Sequence, residues 1–287
     1  MPRIQLLNNK IERFMRLYQV DGATKIIALI GDSITTAQIP TRLNKMLAEQ
    51  SKLGEYLIIP WHVSAAGLAD TLQALRSMQN FIGAIVTAPH KTQVLQHLDE
   101  VAPDAESIQV VNVITRCVEG KLAGWNYDGA GFVRGLEQQG HQVRQKKFVL
   151  IGAGGAAASV AFALLSRGCA ELILYNRNPN KAKSLIEQLY AHFPKAKLRL
   201  GLAENEAMDV IINASAIGID STSELPIDEV VLQRAGLVAE CIATKEKTAL
   251  LTLAEKYTEI HSGIHMLVGQ LELICDLFLS TQASAQA

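Results

Sequence analysis

The chain alternates between short apolar runs and longer segments in which apolar residues recur every three or four positions. The first pattern predicts β-strands and the second predicts helices. In the first half, strands are predicted at 26–30, 56–60, 84–87, 111–116 and 122–125, and helices at 42–49, 68–78, 91–97, 103–108 and 129–136. In the second half, strands are predicted at 148–151, 171–175, 197–201, 209–213 and 237–241, and helices at 248–257 and 266–279. This alternation favours an α/β fold with parallel sheets.

Length and composition narrow the class of protein. A chain of 287 residues suits two domains better than one small core. Apolar residues make up 49% and aromatic residues only 5%, which is typical of a buried parallel sheet covered by helices. The formal net charge of −1 and the dispersed basic residues argue against binding to nucleic acid or to an anionic membrane.

Cysteine and histidine usage argues against disulfides and metal sites. The four cysteines lie far apart without a Cys-x-x-Cys pair, and the seven histidines show no metal-ligand spacing. The charged N-terminus lacks the apolar core of a secretory signal. No apolar run approaches the roughly 20 residues of a membrane span. We therefore expect a cytoplasmic protein with no metal. Residues 1–24 have helical spacing and predict an amphipathic lead-in that could cap the first domain or form a homodimer interface.

A glycine-rich loop follows the predicted strand at 148–151. Its residues are Gly152, Ala153, Gly154, Gly155 and Ala156, and an alanine-rich, helix-forming stretch comes next. Glycines at this position let the backbone turn tightly and approach a pyrophosphate, whose charge the helix N-terminus stabilises. The pattern predicts a dinucleotide-binding unit, although some such loops are ordinary tight turns.

The end of the next strand indicates which dinucleotide is bound. NAD-binding units usually carry Asp or Glu there, whereas this chain has Asn176 and Arg177, with Lys181 and Lys183 just beyond. A guanidinium can hold a 2′-phosphate by charge-assisted hydrogen bonds. The sequence therefore favours NADP over NAD; the alternative is that these basic residues only form a solvated helix start.

Lys91 is a candidate for proton transfer. Pro89 is predicted at the first helical position, which places Lys91 in the first turn. A cation there faces the positive end of the helix dipole, an unfavourable position. One hypothesis makes Lys91 a general acid or base. The alternative is a surface lysine that extends into water.

Three further polar residues interrupt apolar patterns or begin an element. Asp128 opens a predicted helix, where it is either an N-cap or a functional carboxylate. Asn112 lies inside a predicted apolar strand, and Gln270 interrupts the apolar face of the last helix. For both amides, a core hydrogen bond is the alternative to a binding role.

Six segments occur in an order and spacing that resemble the shikimate dehydrogenase family. They are Thr87-Ala88-Pro89-His90-Lys91, Val111-Asn112-Val113, Asn126-Tyr127-Asp128-Gly129, the Gly152 loop, Asn176-Arg177 and the segment from Gly263 to Gln270. The resemblance extends from about Ile26 to Phe278. It implies a substrate domain (1–127 plus 266–287), an NADP-binding Rossmann domain (128–265), and a last helix that returns to the first domain.

The resemblance also implies roles for single residues. Lys91 and Asp128 would form the catalytic pair in a cleft between the domains. Thr87, Asn112 and Gln270 would hold substrate hydroxyls. Asn176 and Arg177 match the turn that selects NADP in the family.

The chain departs from the family pattern around the substrate. Family members that use shikimate hold its carboxylate with a Ser-x-Ser element, where this chain has Ala37 and Ile39. Losing two hydrogen bonds to a charged group would cost about 3–6 kcal/mol. Further substitutions replace family residues near the substrate: Ile85 for Asn, Val113 for Thr, Ala243 for Tyr and Tyr127 for Thr. The neighbouring Ser33, Thr35, Thr36 and Arg42 could rebuild an anion site.

The sequence therefore predicts an NADP-dependent oxidoreductase that acts on a small cyclic polyol or hydroxy acid and is poor on shikimate itself. One alternative is a genuine shikimate or quinate dehydrogenase with a rebuilt carboxylate site. Another is a non-catalytic sensor that binds NADP(H).

Overall fold

The computed structural model describes residues 20–284 apart from 33, 36, 203–205, 220–222 and 245, with side chains up to residue 280. Most of the predicted N-terminal helix, residues 1–19, and the homodimer interface suggested for it lie outside these residues. Residues 20–24 form a turn instead of a helix. The Asp21 N–H donates to Thr24 Oγ1 at 3.0 Å, and the Thr24 N–H donates to the Asp21 carbonyl at 3.2 Å.

The chain divides into two compact units. The first consists of Met1–Ala102, Val111–Trp125 and Cys275–Ala287, and the second of Pro103–Val110 and Asn126–Ile274. The domain limits expected from the sequence stay a prediction, since a compact unit need not be a domain that folds by itself.

The first unit contains a six-stranded sheet with the order β2-β1-β3-β5-β6-β4. Its strands are β1 (Lys25–Gly31), β2 (Tyr56–His62), β3 (Phe81–Val86), β4 (Glu100–Val101), β5 (Val113–Arg116) and β6 (Leu122–Trp125). β1 pairs in parallel with β2 and β3, whereas β5 is antiparallel to β3 and β6. The expected parallel sheet is thus mixed here, because the short turn between β5 and β6 can join only antiparallel strands.

Three helices belong to the first unit: α1 (Ile39–Glu49), α2 (Leu68–Ser77) and the single-turn α3 (His90–Gln93). Helix α1 is fixed to the outer edge of β2 by one side chain. Asn44 Nδ2 donates to the Ile58 carbonyl, and Asn44 Oδ1 accepts from the Ile58 N–H, both at 3.0 Å. Both backbone groups of an edge residue are thereby satisfied.

The second unit contains a sheet of six parallel strands. They are β7 (Lys147–Ile151), β8 (Glu171–Tyr175), β9 (Leu198–Leu200), β10 (Met208–Asn213), β11 (Ala235–Glu240) and β12 (Glu259–His261). Their order, β9-β8-β7-β10-β11-β12, begins in the middle, runs to one edge and returns to the other, which is the Rossmann order. The central strands are almost entirely buried, as their apolar runs predict.

Helices cover this second sheet. They are α4 (Pro103–Ile108), α5 (Asp128–Gln138), α6 (Gly155–Ser166), α7 (Pro179–His192), α8 (Glu229–Leu232), α9 (Ala249–Ala254) and α10 (Gly263–Ser284). Helix α10 begins in the second unit, and its residues from Cys275 onwards cluster with the first. The sequence did not predict β4, β12 or α8, because elements of two to four residues carry no readable period.

Helix α10 is the longest apolar element of the described residues to consider as a membrane span. Among the described residues it is the one helix long and apolar enough to cross a membrane, over Gly263–Ser280. Glu272 and Asp276 interrupt its apolar run, so the stretch contains no continuous apolar segment of about 20 residues. Half of that stretch is buried inside the protein, and core helices pass the same test, so the finding is weak evidence for a membrane span.

Candidate active site

A cavity of about 1020 Å³ lies at the carboxyl edge of the Rossmann sheet, where β7, β8 and β10 end. This is the point at which the strand order reverses, and ligands of open α/β sheets bind at such points. The lining includes six of the residues proposed from the sequence for a cofactor: Gly152, Ala153, Gly154, Asn176, Arg177 and Lys181. Gly155 and Ala156 begin helix α6 beside them.

Gly152 explains why the loop needs glycine. Its φ of +118° lies in the region that favours glycine, and a Cβ there would lie 2.7 Å from the Ala214 carbonyl oxygen. The backbone of Gly154, by contrast, has open space where its Cβ would be. The turn therefore packs tightly against β10 on one side and leaves its other side open at the helix N-terminus, where backbone N–H groups favour an anion.

The segment after β8 presents a guanidinium to the same cavity. Asn176 Nδ2 donates to the Asn178 carbonyl at 2.8 Å, and Asn178 Oδ1 accepts from the Asn180 N–H at 3.1 Å, which caps helix α7. These two bonds fix the turn on which Arg177 stands. Lys181, the third residue of α7, also lines the cavity. Glu224 is the one acidic residue among the described lining residues.

In the first unit, backbone hydrogen bonds connect three of the proposed substrate and catalytic residues. The Thr87 N–H donates to the Ile30 carbonyl at 2.9 Å, at the ends of β3 and β1. The Lys91 carbonyl accepts from Val111 N–H at 2.9 Å, and the Asn112 carbonyl accepts from Val86 N–H at 2.7 Å. The structure therefore brings Thr87, Lys91 and Asn112 to one edge of this sheet, with Asn112 buried.

Two local predictions about this edge are wrong. Pro89 does not take the first helical position: it is the N-cap residue, preceded by a cis Ala88–Pro89 bond, and the helix begins at His90. Lys91 nevertheless lies in the first turn. Asn112 lies just before β5 instead of inside a strand, although its N–H still bonds the Trp125 carbonyl at 3.0 Å.

Asp128 is not the N-cap of α5; it is the first helical residue. The preceding turn is closed by Asn126, whose Oδ1 accepts from the Asp128 N–H at 3.1 Å and whose Nδ2 donates to the Val110 carbonyl at 3.0 Å. The sequence argument missed this role for Asn126, although an Asn two residues before a helix is a recognisable signal. The Asp128 residue itself is buried, with 3% of its surface exposed.

Gln270 lies beside helix α5 in the second unit. A Cβ on Gly131 would lie only 2.4–2.7 Å from the Cβ, N and Cα atoms of Gln270, so glycine lets the two helices touch through their backbones. Gly131 is three residues after Asp128, which places the two on the same face of α5. Gln270 and Asp128 are therefore neighbours within this unit.

Comparison with known proteins agrees with this geometry. The family model of the shikimate dehydrogenase substrate binding domain matches residues 29–114, and that of shikimate / quinate 5-dehydrogenase matches residues 135–227. The shikimate dehydrogenase (NADP(+)) of Alkaliphilus oremlandii is 34% identical over 271 residues, which cover 91% of this chain and 93% of the relative. The chain belongs to the shikimate dehydrogenase family.

Solved structures of this family have the same two-domain α/β fold. The Thermus thermophilus shikimate 5-dehydrogenase, solved with NADP(H) and shikimate, is 28% identical with a TM-score of 0.79, and the match covers 89% of this chain and 93% of that one. A 5-ketofructose reductase from a Gluconobacter strain is 26% identical with a TM-score of 0.79, covering 93% and 98%. As a member of the shikimate dehydrogenase family, the chain is an oxidoreductase that acts on a CH–OH group.

Two departures from the family pattern meet in the structure. Ile85 and Val113 lie opposite each other in the antiparallel β3–β5 pair, and both are buried. An apolar pair thus occupies the two positions at which the resemblance to the family led us to expect Asn and Thr. Ala37 and Ile39 are half-buried at the start of α1, and Arg42 donates to Gln38 Oε1 at 3.0 and 3.3 Å. Ser33 and Thr36 lie outside the described residues.

Sequence analysis also missed a polar pair at the first unit's sheet edge. Asp32 directly follows β1 and His62 ends β2, and Asp32 Oδ1 lies 2.6 Å from His62 Nε2. Both residues lie at the carboxyl ends of parallel strands, which is a recognisable signal. The sequence does not show that β1 and β2 are neighbours in the sheet, so the pair could not be predicted from it.

Proposed function

We propose that the protein is an NADP-dependent oxidoreductase that interconverts a ring hydroxyl and a ketone on a small cyclic polyol or hydroxy acid. The observation that carries this proposal is the cavity at the switch point of the Rossmann sheet, lined by the glycine loop and by Arg177. Family membership supports the reaction class, and the altered residues around the substrate support a substrate other than shikimate.

The residues present suit NADP. Gly152 through Ala156 would hold the pyrophosphate at the N-terminus of α6, since the Gly152 cradle leaves no room for a side chain. Asn176, Arg177 and Lys181 would hold the ribose 2′-phosphate, because two cations and an amide favour a phosphate that an acidic residue would repel. When bound, NADP supplies the hydride acceptor or donor for the substrate carbon.

Lys91 and Asp128 are the proposed catalytic pair. One of them accepts the proton of the substrate hydroxyl as that carbon is oxidised, and returns it during reduction. Thr87, Asn112 and Gln270 would orient the ring through its other hydroxyls.

The substrate is proposed to differ from shikimate. Ala37 and Ile39 offer no hydroxyl for a carboxylate, and the apolar Ile85–Val113 pair offers none for the ring. The relative named 5-ketofructose reductase indicates that this fold serves more than one substrate. The main alternative is a genuine shikimate or quinate dehydrogenase in which Arg42 and its neighbours rebuild the carboxylate site. The other is a sensor that binds NADP(H) without turnover.

The proposal is tested by following NADP⁺ reduction with shikimate, quinate and a panel of neutral cyclic alcohols, with NAD⁺ in parallel. The variants are Lys91→Ala and, as a control, Lys45→Ala, which removes an exposed lysine of α1. We expect turnover of a panel member that falls about 10²–10⁴-fold in Lys91→Ala and stays unchanged in the control.

Each other outcome selects an alternative. Robust turnover of shikimate or quinate, lost in Lys91→Ala, identifies a genuine dehydrogenase with a rebuilt carboxylate site. Tight NADPH binding without Lys91-dependent turnover of any substrate identifies the sensor. The homodimer expected from the N-terminal segment stays a prediction, which light scattering of the full chain would check.

A further inference from the structure

The Asp32–His62 pair is built into the carboxyl edge of the first unit's sheet. Gly31 and His62 are register partners in the parallel β1–β2 pair, so Asp32 emerges beside His62. The carboxylate oxygen and the imidazole nitrogen are 2.6 Å apart, and 40% and 59% of the two side chains remain exposed. A ligand at this edge can therefore reach both.

The pair is joined to the segment that carries Thr87 and Lys91. The Asp32 N–H donates to the Ala88 carbonyl at 3.1 Å, and a Cβ on Gly31 would lie 2.3 Å from Thr87 Cγ2. On the other side of His62, the carbonyl oxygen of Val63 accepts a hydrogen bond from Nε2 of the buried His90 ring at 2.6 Å. The pair thus lies beside the residues proposed to hold and deprotonate the substrate.

The chemistry of the pair suits a hydroxyl. An ionised carboxylate only accepts hydrogen bonds, whereas a hydroxyl donates one and accepts two. A ring hydroxyl can donate to the Asp32 carboxylate, whose Oδ1 is hydrogen-bonded to His62 Nε2. A substrate carboxylate cannot donate to Asp32, and the like charges repel each other.

Within the described part of the segment that follows β1, the side chains offer no pair of hydroxyls to offset that repulsion. Ala37 and Ile39 have no polar side-chain atom, and Arg42 already donates from Nε and Nη2 to Gln38. An exposed ion pair contributes little to stability, so a contribution to folding does not explain why Asp32 and His62 are paired at this edge.

We propose that Asp32 and His62 bind a hydroxyl of an uncharged polyol, and that Asp32 discriminates against substrates carrying a carboxylate at that position. This narrows the substrate class and rests on the proposed function, which places the substrate at the edge formed by Thr87 and Lys91.

The test compares two probes that differ in one charge, shikimate and its neutral methyl ester. The first readout is the dissociation constant of each probe for the NADPH-loaded protein, by calorimetry, which needs no turnover. The second is kcat/KM with NADP⁺. The variants are Asp32→Asn, which keeps the shape and removes the charge, and His62→Gln. The control is Asp70→Asn, which removes an exposed charge on α2 of the same unit.

We expect the wild type to bind the ester at least ~10-fold more tightly than the acid, which corresponds to about 1.4 kcal/mol. Asp32→Asn should abolish most of that preference by lowering the dissociation constant and the KM of the acid, with kcat little changed. His62→Gln should weaken both probes alike, and Asp70→Asn should keep the wild-type ratio.

An ester-to-acid ratio that is the same in wild type, Asp32→Asn and Asp70→Asn would overturn the inference, as would tighter binding of the acid or no binding of the ester. If the binding ratio behaves as expected but nothing is oxidised, the proposed function fails while the inference about the ligand stands.

Discussion

At the scale of a single residue, Arg177 is the side chain proposed to select the cofactor. It follows β8 at the point where NAD-binding units place an acidic residue, and it lines the cavity together with Asn176 and Lys181. A guanidinium makes two parallel hydrogen bonds to a phosphate. Removing it should therefore weaken binding of NADP⁺, which has a ribose 2′-phosphate, and leave binding of NAD⁺, which has none, unchanged.

We predict that Arg177→Ala raises the KM for NADP⁺ by about 10–100-fold, because a hydrogen bond to a charged group contributes about 1.5–3 kcal/mol. The KM for NAD⁺ should stay within about twofold. Lys183→Ala is the control, since Lys183 is an exposed cation on helix α7, which begins just after Arg177, and it does not line the cavity. Equal losses for both cofactors would show that Arg177 does not select between them.

The contacts of helix α5 decide the geometry of the site at the scale of an element. A Cβ on Gly129 would lie 2.0 Å from the Ser159 carbonyl oxygen of α6, and a Cβ on Gly135 would lie 2.7 Å from the His265 carbonyl of α10. Together with Gly131, these glycines let α5 approach two helices closely. The helix that begins at Asp128 is therefore held by backbone contacts with little room to move.

We predict that Gly131→Ala destabilises the protein by at least about 1–3 kcal/mol, because the added methyl group overpacks a buried contact with Gln270. In a helix without such a contact, the same change would stabilise by about 0.5–1 kcal/mol. The measurement is urea denaturation, with Gly22→Ala as the control, since Gly22 has open space around its Cα. A stabilised Gly131→Ala variant would contradict the contact.

Features formed by residues close together in the sequence could be predicted, and features formed by residues far apart could not. The β7–loop–α6 unit and the turn at Asn176-Arg177 were predicted because strand, glycines and helix are contiguous. The α5 contacts with Gln270 were not, because residues about 140 positions apart share no period. The Asp32–His62 pair likewise depends on the order of β1 and β2 in the sheet, which the sequence does not show. The N-cap interpretation of Asp128 was wrong because the side chain of Asn126 closes the turn before the helix.

At the scale of the molecule, two buried ionisable residues on neighbouring strands make stability depend on pH. Burial raises the pKa of Glu240, at the end of β11, to about 7, and the hydrogen bond from Thr248 opposes this. Burial, with smaller contributions from His265 and His141, lowers the pKa of His261 on β12 to about 3. Within the described part of the chain, Glu240 Oε1 and His261 Nε2 have no hydrogen-bond partner.

The two shifts act on opposite sides of the pH scale. The raised pKa of Glu240 gives stability that is present below its usual pKa of 4.5 and is lost as pH rises through about 7, because the unfolded carboxyl ionises first. The lowered pKa of His261 gives stability that is present above 6.5 and is lost as pH falls towards 3, because only the unfolded ring takes up a proton readily. Both slopes overlap between 4.5 and 6.5, where the two partly cancel.

We predict that Glu240→Gln removes a contribution of about 3 kcal/mol that lowers the free energy of unfolding as pH rises from 4.5 to 7. The variant should therefore gain stability with pH between 4.5 and 6.5, where the two contributions partly cancel in the wild type. His261→Leu should leave the Glu240 contribution largely uncompensated, so the free energy of unfolding of this variant should fall as pH rises from 4.5 to 7; His265, whose pKa burial also lowers, offsets part of that fall. Urea denaturation across this pH range measures both slopes, with the exposed Glu100→Gln as the control. The comparison is between the pH dependence of the free energy of unfolding of each variant and that of the wild type. A change in stability that is the same at every pH therefore does not affect the result. Wild-type slopes in both variants would mean that these groups titrate alike in the folded and unfolded chains, and that their burial costs nothing at either end of the pH range.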